Sequence, residues 1–193
     1  MQEKKTTLRA LTLQALFVAL IIVGTFIRLP IPYIPITLQS MVVIMAGLML
    51  GPRRGSLAVT AYVLLGLVGL PVFSKGGGLA YVVQPTFGYI LGFIAAAALA
   101  AWLSRPTKLG LALSQPASFA RLLGASLAAL VLLYVIGVAY FYLISAFYLG
   151  QHLSLWTIVL HGFLLVLPGD VITCILGVIL TRKLWPKVAA YWR

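Results

Sequence analysis

Acidic residues are nearly missing from this chain: Glu3 and Asp170 are the only two among 193 residues, against 14 lysines and arginines. Charged residues make up 8% and apolar ones 63%. Soluble domains carry about a quarter of their residues charged, so a soluble domain is excluded. The single cysteine, Cys174, excludes an internal disulfide and a cysteine metal cluster and leaves the redox compartment open. No glycine-rich loop ending in Gly-Lys-Ser/Thr is present to cradle the phosphates of ATP. His152 and His161 lack the spacing and companions of a zinc site. No Gly-x-Ser-x-Gly elbow supports an intramembrane hydrolase, and neither an arginine-rich voltage-sensor helix nor a carbonyl filter motif occurs. No cofactor and no metal are therefore expected.

What the chain does have is long apolar runs, at about 9–29, 36–51, 56–70, 85–104, 121–147 and 155–181. At 1.5 Å per residue the longer ones cross a bilayer, and only helices or closed barrels can do so with their backbone polar groups satisfied. The expected fold is an all-α integral membrane protein, one domain over residues 1–193 with six transmembrane helices. The first run follows basic residues as a signal peptide would, but it is long and lacks a small-x-small cleavage site, so it reads as a retained helix. It carries Ala15-x-x-x-Ala19, with Gly24 further on, a spacing that lets another helix come close. Gly88-x-x-x-Gly92 repeats that signal in the fourth run, which Pro85 opens.

The breaks between runs differ in character. Leu29 to Pro35 holds three prolines and reads as extended, and Gly51 to Gly55 reads as a tight basic turn. Residues 71–84 form a longer loop with Gly76, Gly77 and Gly78, backbone that can approach a ligand closely. Residues 105–120 form a polar connector. Tyrosines gather in the fifth run (Tyr134, Tyr140, Tyr142, Tyr148), and Trp185 and Trp192 in the basic tail suit a membrane interface.

Six helices put both termini on one side, together with the 51–55 turn and the 105–121 connector. That side holds 12 of the 14 basic residues; the opposite side holds Arg28 and Lys75. The positive-inside rule then places both termini in the cytoplasm and the 71–84 loop outside, in a plasma membrane protein. Topology thus explains a net charge of +12 that in a soluble protein would suggest nucleic acid. On the outer side, Lys75 and Arg28 are placed to meet an anionic solute or to snorkel to headgroups.

Asp170, in Leu167-Pro168-Gly169-Asp170-Val171-Ile172-Thr173, is the only carboxylate in the apolar body. An intramembrane carboxylate is expensive unless it faces the protein interior and finds a partner, so it marks either a functional site or a structural pairing between helices. Pro168 and Gly169 free backbone polar groups beside it. His161, nine residues earlier, is more than two turns away. A six-helix body with one buried acid and a structured outer loop points to binding or transport of a small polar solute.

Several stretches line up in order from about residue 10 to residue 180. They are Ile34-Pro35-Ile36-Thr37-Leu38-Gln39, Ala46-Gly47 with Leu50-Gly51 and Gly55, Leu65 to Phe73, Gly76-Gly77-Gly78, Pro85 to Phe93, and Leu167-Pro168-Gly169-Asp170. This ordered set resembles the BioY family, the biotin-binding S components of energy-coupling-factor (ECF) vitamin transporters. The resemblance implies a biotin receptor with a pocket lined by the outer loops and helices four to six. It also implies as partners a membrane T component and two ATP-binding subunits, although some family members act without a dedicated module. Ala15 and Ala19 look like the motif that docks on the T component.

Biotin offers ureido N–H donors, a ureido carbonyl, a thioether ring and a carboxylate. Asp170 would accept from the ureido N–H groups, a charge-assisted bond that is strong in a dry pocket. Gln84 or Thr86 would complement the ring polarity, Tyr81, Phe73 and Tyr89 would cover its apolar faces, and Lys75 would meet the carboxylate, with Gly77 in the loop above. Two departures stand out: Phe87 occupies a position where family members often have glycine, and Thr173 one where they often carry lysine. They keep a different small vitamin open as ligand. An intramembrane enzyme using Asp170 as acid or base would need a second catalytic group that the sequence does not offer. In a structural subunit, Asp170 would pair with a partner chain.

Overall fold

The computed structural model describes residues 2–105, 117–150 and 153–191. Of the features singled out above, His152, Trp192 and residues 106–116 of the polar connector lie outside the described residues, as does the side chain of Glu3. The helices are α1 (Gln2–Phe26), α2 (Gln39–Leu50), α3 (Pro52–Leu67), α4 (Phe87–Ser104), α5 (Phe119–Leu143), α6 (Leu155–Val159) and α7 (Leu167–Tyr191). A π-helical turn, Leu160–Leu164, links α6 to α7, so these two make one broken sixth helix.

Four stretches are long and apolar enough to cross a membrane: Leu8–Phe26, Phe87–Ser104, Phe119–Tyr148 and Leu155–Val188. With 12 and 16 residues, α2 and α3 reach only about 18 and 24 Å, short of a hydrocarbon core of about 30 Å. The shortness of α2 is tolerated because it does not face lipid. All its residues but Met41 are buried, and it packs against α1, α3, α4 and α7. It is the central post of the bundle. Gly47 makes that packing possible, since a Cβ there would come within 2.2 Å of the Ala97 carbonyl oxygen on α4. Gly88 and Gly92 do the same for the α4–α5 contact, facing Tyr140 and Leu133.

Several boundaries differ from the sequence expectation. Residues 52–55 are the first turn of α3 rather than part of a turn, because proline is at home in the first helical position and Gly51 alone, at φ 92°, reverses the chain. The basic tail continues α7 to Tyr191 with Pro186 inside the helix. The proline segment is a small hairpin: Arg28–Leu29 pairs antiparallel with Ile36–Thr37. Its tip carries Tyr33 at φ 65°, a conformation rare for a residue with a Cβ. Ring contacts to Phe141 at 5.5 Å and His161 at 5.3 Å hold it there. Gly24 faces this hairpin, not the outer surface of α1: its carbonyl accepts from the Leu38 N–H at 3.2 Å.

The 71–84 loop is ordered by backbone bonds rather than left as a tether. Phe73 and Gly76 exchange N–H···O bonds of 2.9 and 3.1 Å, Gly78 N–H reaches the Gly66 carbonyl at 2.7 Å, and Leu79–Val83 forms a 3-10 turn. Arg28 donates to the Ser74 carbonyl and Tyr140 to the Val82 carbonyl, so the loop is tied both to the hairpin and to α5.

Candidate functional site

The last apolar run breaks where it must deliver a carboxylate inward. The π turn at Leu160–Leu164 leaves the Gly162 carbonyl free to accept from outside, and Tyr89 of α4 donates its hydroxyl to it at 2.7 Å. Past the break, Leu167-Pro168 opens α7, and the Asp170 N–H bonds the Val166 carbonyl at 3.1 Å. Gly169 lets the hairpin close over this turn, since a Cβ there would touch Ile36 Cγ2 at 3.0 Å. Asp170 therefore projects from the first turn of α7 into the bundle and is 5% exposed.

Both carboxylate oxygens are engaged by neutral hydroxyls. Ser40 of α2 donates to Oδ1 at 2.6 Å, and Tyr134 of α5 donates to Oδ2 at 2.7 Å. Each carboxylate oxygen has about two acceptor sites, so one on each remains for a ligand donor. The Tyr134 ring is held edge-on between Tyr89 and Phe163, at centroid distances of 6.3 and 4.9 Å. Gly137 makes the slot for Tyr89, since a Cβ there would lie 2.4 Å from the tyrosine ring.

Around this carboxylate lies a cavity of about 490 Å³, counting the open space at its mouth. Its apolar walls include Ile34 and Pro35 of the hairpin, Ile90 and Phe93 of α4, and Leu133 of α5. Its polar groups fall into three sets. Asp170 with Ser40 and Tyr134 is the first. In the second, Tyr81 bonds Ser74 Oγ and Thr86 Oγ1, both at 3.0 Å, joining the loop to the start of α4. In the third, Gln39 accepts from the Thr37 hydroxyl at 3.1 Å and donates to the Tyr62 hydroxyl at 2.6 Å. Such a fixed arrangement of acceptors and hydroxyls suits a small polar solute with hydrogen-bond donors.

Of the residues expected from the sequence, Asp170, Thr86, Tyr89 and Tyr81 line the cavity. Phe73, Lys75, Gly77 and Gln84 do not. Phe73 is 1% exposed and seated over Gly66, with its ring 5.5 Å from Tyr62 and 4.6 Å from Tyr81, so it buttresses the Tyr81 wall from behind. Lys75 is exposed on the loop surface. Gly77 packs against Leu70, whose carbonyl oxygen a Cβ would meet at 2.1 Å. Gln84 serves through its backbone, closing the 3-10 turn and accepting from the Phe87 N–H at 3.0 Å. The two departures also lie outside the lining: Phe87 packs on Tyr81 and Tyr140, and the Thr173 hydroxyl bonds the Asp170 carbonyl at 3.0 Å. Ser40 with Thr37 and Gln39, and Tyr134 and Ser74, are polar residues of the lining that the sequence reading does not single out for the site. The polar group Thr37, Gln39, Ser40 opening an apolar run was the available signal for the first of these.

Ala15 and Ala19 lie together on the exposed face of α1, away from the cavity. Leu16, Leu20 and Val23 beside them are exposed as well.

Comparison with known proteins bears directly on this arrangement. The sequence profile of the BioY family matches residues 1–190. A probable biotin transporter BioY of Lysinibacillus sphaericus is 35% identical over 189 residues, covering 96% of this chain and 90% of that protein. The biotin transporter BioY of Rhizobium etli is 39% identical over 180 residues, covering 90% and 91%. A crystal structure of the S component for biotin from an ECF-type ABC transporter superposes with a TM-score of 0.77. It is 32% identical and covers 92% of this chain and 91% of that one. A profile spanning nearly the whole chain, relatives matched over most of their length and a shared bundle agree: this chain belongs to the BioY family.

Proposed function

We propose that the chain is a biotin-capturing S component of an ECF-type transporter, taking the vitamin from the outer side of the plasma membrane. The observation that carries the reading is the Asp170 carboxylate, buried, fixed by Ser40 and Tyr134, and lining a cavity beneath the outer loop. The ureido ring of biotin fits against Asp170, its N–H groups donating to the open acceptor sites of the carboxylate. Tyr89, Tyr81 and Phe93 enclose the bicyclic ring, and Thr86 and Gln39 meet its polar edge. The valerate chain runs toward the loop, where the Ser74 hydroxyl lines the mouth and Arg28 and Lys75 supply positive charge.

Orientation follows from the basic residues: both termini in the cytoplasm, the 71–84 loop outside. Release to the cytoplasm requires a T component and two ATP-binding subunits, which dock on the small-residue face of α1 at Ala15 and Ala19. The bilayer is the chain's solvent, and nucleic acid has no part.

The test is binding by the purified full chain, measured by calorimetry for biotin, thiamine and riboflavin. Heat from biotin alone supports the assignment. Heat from another vitamin and none from biotin contradicts the specificity while leaving a vitamin receptor, and a folded chain that binds none contradicts the receptor reading.

A further inference from the structure

The α2 and α4 helices begin at the carboxylate cavity and end near a second hollow, where the chain turns at Gly51 into the first turn of α3. This hollow measures about 1030 Å³ with its open side, and Gln14, Arg53, Arg54 and Arg105 are among its walls. Its character is the reverse of the first: basic, with no acidic residue in its lining.

Three arginines from two parts of the chain meet there. Arg53 and Arg54 belong to the first turn of α3, and Arg105 follows the last turn of α4. Gly51 makes the meeting possible, since a Cβ on it would come within 2.4 Å of Arg105 Nη2. A fourth arginine, Arg121, donates from Nη2 to the Arg105 carbonyl at 2.8 Å. Gly51 is also the N-cap of α3 and has no side chain to cap it, which adds the positive end of a helix to the same place. Burial first, and the like charge of Arg54 second, lower the Arg105 pKa, an electrostatic load that a bound anion relieves.

The lower part of the hollow is apolar and open to the flank of the bundle. Leu11 of α1 and Leu57 of α3 line it and are 56% and 53% exposed. The apolar span of α1 begins at Leu8, so these leucines sit at the edge of the hydrocarbon and the arginines at headgroup level. A free phosphate would use only the upper half of such a site. A phospholipid uses both.

We propose that this hollow holds an anionic phospholipid, its phosphate among Arg53, Arg54 and Arg105 and an acyl chain along Leu11 and Leu57. The lipid would also brace α1 against α3, beside the bond from Gln14 Nε2 to the Arg54 carbonyl at 3.1 Å. Gln14 is the residue immediately before Ala15.

Native mass spectrometry of the full chain, with phosphatidylglycerol, phosphatidylcholine or glycerol 3-phosphate added, tests this. Phosphatidylglycerol is retained over phosphatidylcholine, and Arg53→Gln and Arg105→Gln each weaken its retention by about fivefold while leaving phosphatidylcholine unchanged. Arg53→Lys, which keeps the charge, retains most of the preference. Thermal unfolding without added lipid checks that the variants fold; Arg53 is exposed, so its variant carries the test if Arg105→Gln does not fold. Equal retention of the two lipids overturns the proposal, as does a preference that both glutamine variants leave intact. Displacement of the lipid by glycerol 3-phosphate at equal concentration overturns the lipid source, making this a simple anion site.

Discussion

The Ser40 hydroxyl donates to Asp170 Oδ1 at 2.6 Å across 130 residues of sequence. It joins the central helix α2, buried but for Met41, to the helix whose break creates the site. Removing this donor with Ser40→Ala leaves a cavity acceptor unpaired and loosens the carboxylate. Biotin binding is expected to weaken by about tenfold, the size of one hydrogen bond to a charged group, read by calorimetry. Unchanged binding would mean that Tyr134 alone positions the acid.

Tyr89 makes a different contribution. Its hydroxyl satisfies the Gly162 carbonyl released by the π turn, and its ring fills the slot over Gly137. Tyr89→Phe should lower stability by about 1 kcal/mol. Gly137→Ala should lower it by about 1–3 kcal/mol, because a Cβ 2.4 Å from the ring forces Tyr89 out of place. Thermal unfolding with and without biotin separates the two: Gly137→Ala should also reduce the shift that biotin gives.

These contacts show where sequence reasoning reached and where it stopped. The apolar runs and the lone carboxylate were visible because bilayer solvation imposes length and composition on each helix separately. The close packing at Gly88 and Gly92 was visible for the same local reasons, whereas Pro85, expected in the first turn of α4, precedes the N-cap Thr86. The break in the sixth run was legible only in part: Pro168 and Gly169 signal it, but one glycine among His161-Gly162-Phe163-Leu164 does not specify a π turn, and the Gly162 carbonyl is met by Tyr89, 73 residues away. Pro52 was legible and misread, since a proline after glycine marks a helix start as well as a turn. Lys75 and Gln84 look polar and available in sequence, yet neither lines the cavity, because the loop's backbone bonds set which residues face it. Ser40 and Tyr134 could be recognised as partners of Asp170 only once the helices were packed.

The exposed alanines of α1 predict a separable defect. Ala15→Leu with Ala19→Leu fills the surface on which another helix would lie, without touching the cavity. Co-purification with a T component is expected to fall to background while biotin affinity stays at the wild-type value. Loss of both would place these alanines in the fold rather than at an interface.

Orientation is testable because Cys174 is buried and so offers little background to thiol reagents. In intact cells, Lys75→Cys should react with a membrane-impermeant maleimide and Arg53→Cys only after the membrane is opened. The reverse pattern would invert the topology and put the cavity mouth on the cytoplasmic side.

The most direct measurement is calorimetry of biotin binding by Asp170→Asn beside the wild type. Asparagine keeps the side chain's size but removes its charge and replaces one acceptor oxygen with a donor. Ser40 and Tyr134 then cannot both be satisfied as they are by the carboxylate, and the ureido N–H groups lose their charged acceptor. Tight binding by the wild type is expected, weakened at least about tenfold in the variant, with the fold intact. Wild-type affinity in Asp170→Asn would contradict this expectation, leaving Asp170 as a bracket between α2, α5 and α7 with no hand in holding the ligand.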